Sequence, residues 1–130
     1  MKRLLACFLL FALFAPAVAQ EPEWRTAPEY QVLLKPWDYE PEPIRLAAGR
    51  PVRLHFINQG QTRFSFAAGD FFRAARVRSG DREIVSDGQI ALAPGEERTI
   101  ALVPVAGRYR ARSGNLFHRL LGMSGRIIVE

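Results

Sequence analysis

Val52-Arg53-Leu54-His55-Phe56-Ile57-Asn58 is the stretch on which the fold turns. Val52, Leu54 and Phe56 fall on one side and Arg53, His55 and Ile57 on the other, the period-two alternation of a strand with one buried face. Asn58-Gln59-Gly60 then turns the chain, and the alternation resumes with Phe64 and Phe66 set against Arg63, Ser65 and Ala67. Upstream, Tyr30 to Leu34 reads as a strand stopped by Pro36, and Ile44 with Leu46 as a brief one ending at Ala48-Gly49. Downstream, Ile90 and Leu92 open a strand and Ala93-Pro94-Gly95-Glu96 makes a turn. Thr99 to Val103 is the next strand, and Pro104 to Gly107 turns the chain again. Tyr109 and Ala111 then alternate with Arg108, Arg110 and Arg112, and Arg126 to Val129 is the last strand.

About seven or eight short strands at this spacing, with no long helix, predict an all-β chain built as an antiparallel Greek-key β-sandwich. A small closed barrel is the competing architecture, because periodicity alone does not separate the two. One short helical turn is expected over Asp70 to Val77, capped by Asp70.

The first residues read as an address. Lys2 and Arg3 supply positive charge, Leu4 to Phe14 is apolar, and Ala17-Val18-Ala19 is a small-x-small cleavage pattern. The expectation is a signal peptide over residues 1–19, a loose Glu- and Pro-rich arm over 20–29 and one domain over 30–130. The apolar run is too short to span a bilayer comfortably, so no membrane span is expected in the mature form. Leu4-Leu5-Ala6-Cys7 resembles a lipoprotein box, but the apolar run follows Cys7 instead of preceding it. Cys7 is therefore read as part of the leader, and the exported chain would carry no cysteine. Roughly 110 residues would remain, enough for one packed core without disulfides. The formal net charge of the whole chain is +5. With Lys2 and Arg3 removed it is mild, and together with a periplasmic address it argues against nucleic acid as a partner.

From Pro43 to Glu130 the chain resembles the cupredoxin family. The likeness runs through Pro43-Ile44-Arg45-Leu46-Ala47-Ala48-Gly49, the Val52–Asn58 strand and Ala93-Pro94-Gly95-Glu96. It continues with Gly107-Arg108-Tyr109 and then His118, Met123 and Gly125, closing at Ile127 and Val129. In plastocyanin- and azurin-like members, a Cys after the Gly-x-Tyr strand, a loop His, a late Met and an early His hold copper. Here Ser113 stands at the Cys position and Phe64 at the first-His position, while His118 and Met123 match the other two ligands. A second branch, the cupredoxin-like domains of iron-uptake lipoproteins, is echoed by Phe66-Ala67-Ala68-Gly69-Asp70-Phe71 and by Leu116-Phe117-His118. Most of the acidic residues of that branch's loop are absent.

The resemblance therefore implies a degenerate type-1 site. A blue-copper centre depends on a short Cu(II)–thiolate bond, and a serine hydroxyl is a hard, neutral donor that does not replace it. His118 and Met123 are the candidate metal ligands, an imidazole and a thioether suited to a two- or three-coordinate Cu(I) site. The bland alternative makes them remnants, with His118 hydrogen-bonded and Met123 filling the core. His55 is expected on the outer face as an exposed or edge histidine, and Asp70 as a cap before a ligand. Leu116, Phe117, Leu120 and Leu121 form a candidate apolar interaction patch for a periplasmic protein partner, provided they are not all buried. Arg108, Arg110 and Arg112 read as a solvated row that also protects an edge.

No nucleophile–base pair, phosphate-cradling loop or paired-carboxylate signature is visible, so no enzyme is expected. Three functions are compatible with these residues. The first is periplasmic copper or metal handling; the second, a metal-free protein-interaction module; the third, copper-dependent electron transfer, which needs a thiolate.

Overall fold

The computed structural model describes residues 21–130. The leader expected over residues 1–19, with Cys7, lies outside the described residues. Ten strands form two five-stranded sheets. The first sheet has the order β2-β1-β4-β8-β6, with β1 Glu29–Lys35, β2 Asp38–Glu40, β4 Val52–Asn58, β6 Arg76–Val77 and β8 Glu97–Val103. The second has the order β3-β10-β9-β5-β7, with β3 Ile44–Leu46, β5 Phe64–Ala67, β7 Gln89–Leu92, β9 Gly107–Arg112 and β10 Ser124–Val129. Each sheet keeps two edge strands, so the architecture is a sandwich and the barrel is set aside. Pairing is antiparallel except where β1 lies parallel to β4 and β3 parallel to β10. The count passes eight because β2 and β6 have only three and two residues, too few to show a period.

β4 behaves as its alternation predicts: Val52, Leu54, Phe56 and Asn58 are buried and the residues between them half-buried. Phe56 from the first sheet meets Phe66 from the second at 5.1 Å between ring centroids, and Tyr39 meets Phe66 at the same distance. Burying such rings on both inner faces is the main favourable term holding the sheets together. Asn58 ends its strand inward and is almost fully buried. Its Nδ2 donates to the carbonyls of Leu92 and Thr62, and its Oδ1 accepts from the Gly60 N–H, so one amide ties β4, the turn and the end of β7.

Two helical turns are present, not one. α1 covers Gly69–Ala74, and its N-cap is Ala68, so Asp70 is not the cap expected from the sequence. Asp70 instead stands exposed in the first turn and pairs with Arg73, and Arg76–Val77, expected as helix, extends as β6. α2 covers Leu116–Leu120 within what read as a loop. The arm expected to be loose is fixed from Ala27 onward: Ala27 is buried, its carbonyl accepts from Arg53 Nε at 2.9 Å, and a 3-10 turn precedes it over Trp24–Thr26.

Candidate functional site

β9 ends at Arg112, and the next residue still pairs across the sheet, with the Ser113 N–H donating to the Met123 carbonyl at 3.1 Å. Between those two residues the chain leaves the sheet, makes α2 and returns. Asn115 starts the helix: its Oδ1 accepts from the N–H groups of Phe117 at 2.9 Å and His118 at 3.3 Å. The loop closes when the Met123 N–H donates to the His118 carbonyl at 3.1 Å. Ser113, His118 and Met123 are thus tied together by backbone hydrogen bonds at one end of the sandwich. Ser113 and Met123 are fully buried and His118 nearly so.

The imidazole of His118 sits among rings. Phe64, at the start of β5, meets it edge-on at 5.3 Å and 70°, and Trp37 does the same at 5.4 Å and 74°. Phe117 stands 6.3 Å away on the rim. Nδ1 of His118 is buried and has no hydrogen-bond partner among the described residues. A polar atom left so costs about 1–3 kcal/mol, which makes it a feature that demands a physical account. Beside it, the Ser113 hydroxyl is engaged, since its Oγ accepts the Asn115 N–H at 3.1 Å. Ser65 completes the neighbourhood: its Oγ lies 3.5 Å from that of Ser113 and accepts the Gly114 N–H at 2.6 Å, while its carbonyl accepts from the Tyr39 hydroxyl at 2.6 Å.

This donor set does not fit a type-1 Cu(II) centre. Phe64 carries no donor, and Ser113 offers a neutral oxygen already bonded to the backbone. It fits a soft, low-coordinate cation better: one unpartnered imidazole nitrogen and one fully buried thioether, in surroundings where water is scarce. Among the described residues no group of three or more His, Cys, Asp or Glu side chains could hold a metal, so nothing resembling a zinc or calcium cage is present.

The remaining sequence candidates fall elsewhere. His55 lies on the outer face as expected, but on an interior strand: it stands opposite Gln31 and Thr99 and is half-buried. Its Nδ1 is 2.5 Å from Glu29 and its Nε2 3.2 Å from Glu97. Asp70 is at the surface with Arg73. Leu116, Phe117, Leu120 and Leu121 are 62, 63, 75 and 50% exposed, so the patch stands in solvent beside His118. The arginine row does face away from buried Ala111, but β9 lies between β10 and β5, so the row guards no edge.

Three contributors escaped the sequence reading. Trp37 occupies the second position of the Pro36-Trp37 turn at φ 67°, a conformation that ordinarily calls for glycine or asparagine. A proline followed by a bulky residue between two strands was the available signal. Asn115 was signalled by Ser-Gly-Asn ahead of Leu-Phe-His, an N-cap composition. Ser65 had no signal, because its role comes only from β5 lying against β9.

No protein-family model and no curated protein sequence matches the chain. Solved structures do. Auracyanin B superposes with a TM-score of 0.57 at 20% identity, over 87% of this chain and 93% of that one. Dithionite-reduced auracyanin from Roseiflexus castenholzii gives 0.56 at 16% identity, over 81% and 98%. A multi-copper oxidase from Pediococcus acidilactici gives 0.59 at 13% identity, over 78% of this chain and 25% of that one. At such identities the likeness speaks for the fold alone.

Proposed function

We propose, from a cupredoxin-like β-sandwich as premise, that this chain is a non-enzymatic copper-handling protein that takes Cu(I) at His118 and Met123. The observation that carries the reading is the buried, unpartnered Nδ1 of His118 in the loop that also buries Met123. Cu(I) accepts few, soft ligands, and an imidazole and a thioether are both of that kind. Held there, Cu(I) would be cargo, stored in a protected site or passed on to another carrier. The chain's own part is to hold both donors out of water, through the Asn115 cap and the Ser113–Met123 backbone bond. The exported state is part of the proposal: the leader pattern ahead of Gln20 suits a periplasmic protein. Blue-copper electron transfer has little support, since the single cysteine of the chain is Cys7 in the leader pattern.

Anaerobic titration of residues 20–130 with Cu(I) against a chromophoric chelator tests this. Binding of one equivalent is expected, weakened at least about tenfold in both His118→Ala and Met123→Ala. Cu(II) should give no intense visible band. Failure to bind either ion would overturn the reading.

A second reading, a metal-free interaction module, rests on Leu116, Phe117, Leu120 and Leu121 standing together in solvent. It predicts a photo-crosslink from position 120 to a periplasmic protein that disappears in Phe117→Asp and persists in His118→Ala.

A further inference from the structure

On the outer face of the second sheet, β5, β9, β10 and α1 line an open cleft of about 770 Å³. Four guanidiniums line it: Arg73, Arg110, Arg112 and Arg126. Two are neutralised locally, Arg73 by Asp70 and Arg126 by Glu42 at 2.9 Å. The guanidiniums of Arg110 and Arg112 make no hydrogen bond or ion pair among the described residues. They stand two apart on one strand face, roughly 7 Å along the chain. Arg110 is directly across from Arg126, and Arg112 from Ser124 and Ala67.

Like charges directly opposite on a sheet are destabilising. Nor do they keep another strand from pairing at an edge, because β9 is interior. The residues across from Arg112, Ala67 and Ser124, are small, and the cleft that Arg110 and Arg112 both line is open to a ligand. The arrangement suits an oxyanion, since a guanidinium fork matches phosphate or carboxylate oxygens two at a time. Carboxylates on the walls limit the ligand's charge: Glu42 and Asp70 are paired, and Asp87 accepts from Gln89 Nε2 at 3.2 Å. With four guanidiniums against three carboxylates, the lining carries one net positive charge, which suits a solute with one anionic group better than a polyanion.

We propose that this cleft binds a small solute bearing a single oxyanionic group, phosphate or carboxylate, gripped by Arg110 and Arg112. NMR titration of the exported chain with inorganic phosphate and with acetate, against chloride at matched ionic strength, tests it. At least one of the two oxyanions should shift the amides of Arg110, Arg112 and Ser124 saturably. The Arg110→Ala/Arg112→Ala variant should weaken that binding at least about tenfold, and the double Lys variant, which keeps charge but loses the fork, at least about threefold. Arg108→Ala, on the same strand and face, should leave it within about twofold. The proposal is overturned by equal shifts with chloride, by Arg108→Ala weakening binding as much as the double variant, or by no response to either oxyanion. Binding of vesicles with phosphate headgroups, without a response to free phosphate, would equally overturn it in favour of a lipid surface.

Discussion

On the site reading proposed above, a Ser113→Cys change alone would not create a coloured copper centre. Phe64, which carries no donor, packs edge-on against His118. The Phe64→His/Ser113→Cys double variant is therefore expected to give an intense visible band with Cu(II), and Ser113→Cys alone a weak one or none. Absorption spectroscopy of the two variants decides it. Losing the buried Phe64 ring should lower stability by about 1–3 kcal/mol in the double variant. Trp37 yields a prediction of the opposite kind. Its left-handed backbone is strained for any residue with a Cβ, so Trp37→Gly relieves strain while stripping an aromatic wall from His118. Unfolding stability should change by no more than about 1 kcal/mol, while His118 reacts faster with diethyl pyrocarbonate. A loss of several kcal/mol would show that the indole is chiefly core.

Among the elements, α2 and the turn before β7 have identifiable anchors. Asn115→Ala removes the acceptor for two N–H groups of a five-residue helix. About 1 kcal/mol should be lost in urea unfolding, with hydrogen exchange rising at Phe117 and His118. Asp81 does more. Nearly buried, it takes both Arg78 Nε and Nη2, and it also accepts the N–H of fully buried Ala101 at 2.9 Å, where β6 has ended and no strand continues the ladder. Asp81→Ala leaves that N–H orphaned, and a loss of about 2 kcal/mol is expected with an unchanged denaturant slope. These anchors also mark where sequence reading stops. The Val52–Asn58 strand was legible because seven residues carry a full alternation and one buried face. β6, with two residues, carries none and exists because β8 offers it an edge. Asp70 misled because an acidic residue near a helix start fits both a cap and a first-turn position; the backbone at Ala68 decided between them. The spacing of Ser113, His118 and Met123 was readable from the chain alone. The aromatic surround of His118 was not, since Trp37, Phe64 and Phe117 come from three separate segments.

For the molecule as a whole, the sandwich is held by rings, and one of them couples stability to pH. Tyr39 is 1% exposed, and burial raises its hydroxyl well above the ordinary tyrosine range. In the unfolded chain that hydroxyl ionises near pH 10, whereas in the folded chain it keeps its proton. Its contribution is thus intact below about pH 10 and lost progressively above it, at up to about 1.4 kcal/mol per pH unit. Tyr39→Phe should be destabilised by about 1 kcal/mol at neutral pH, through loss of the bond to the Ser65 carbonyl, and should show a flatter alkaline decline. Equilibrium unfolding at several pH values above 9 measures both; identical alkaline slopes would exclude Tyr39 as the cause. The seat of Trp37 has one further consequence. Of the two tryptophans, Trp24 is held by Glu21 in the N-terminal turn, while Trp37 lies 5.4 Å from the His118 ring. A Trp24→Phe protein would retain a single indole at the candidate site, so its emission becomes a built-in optical gauge of whatever reaches that imidazole, with no label attached.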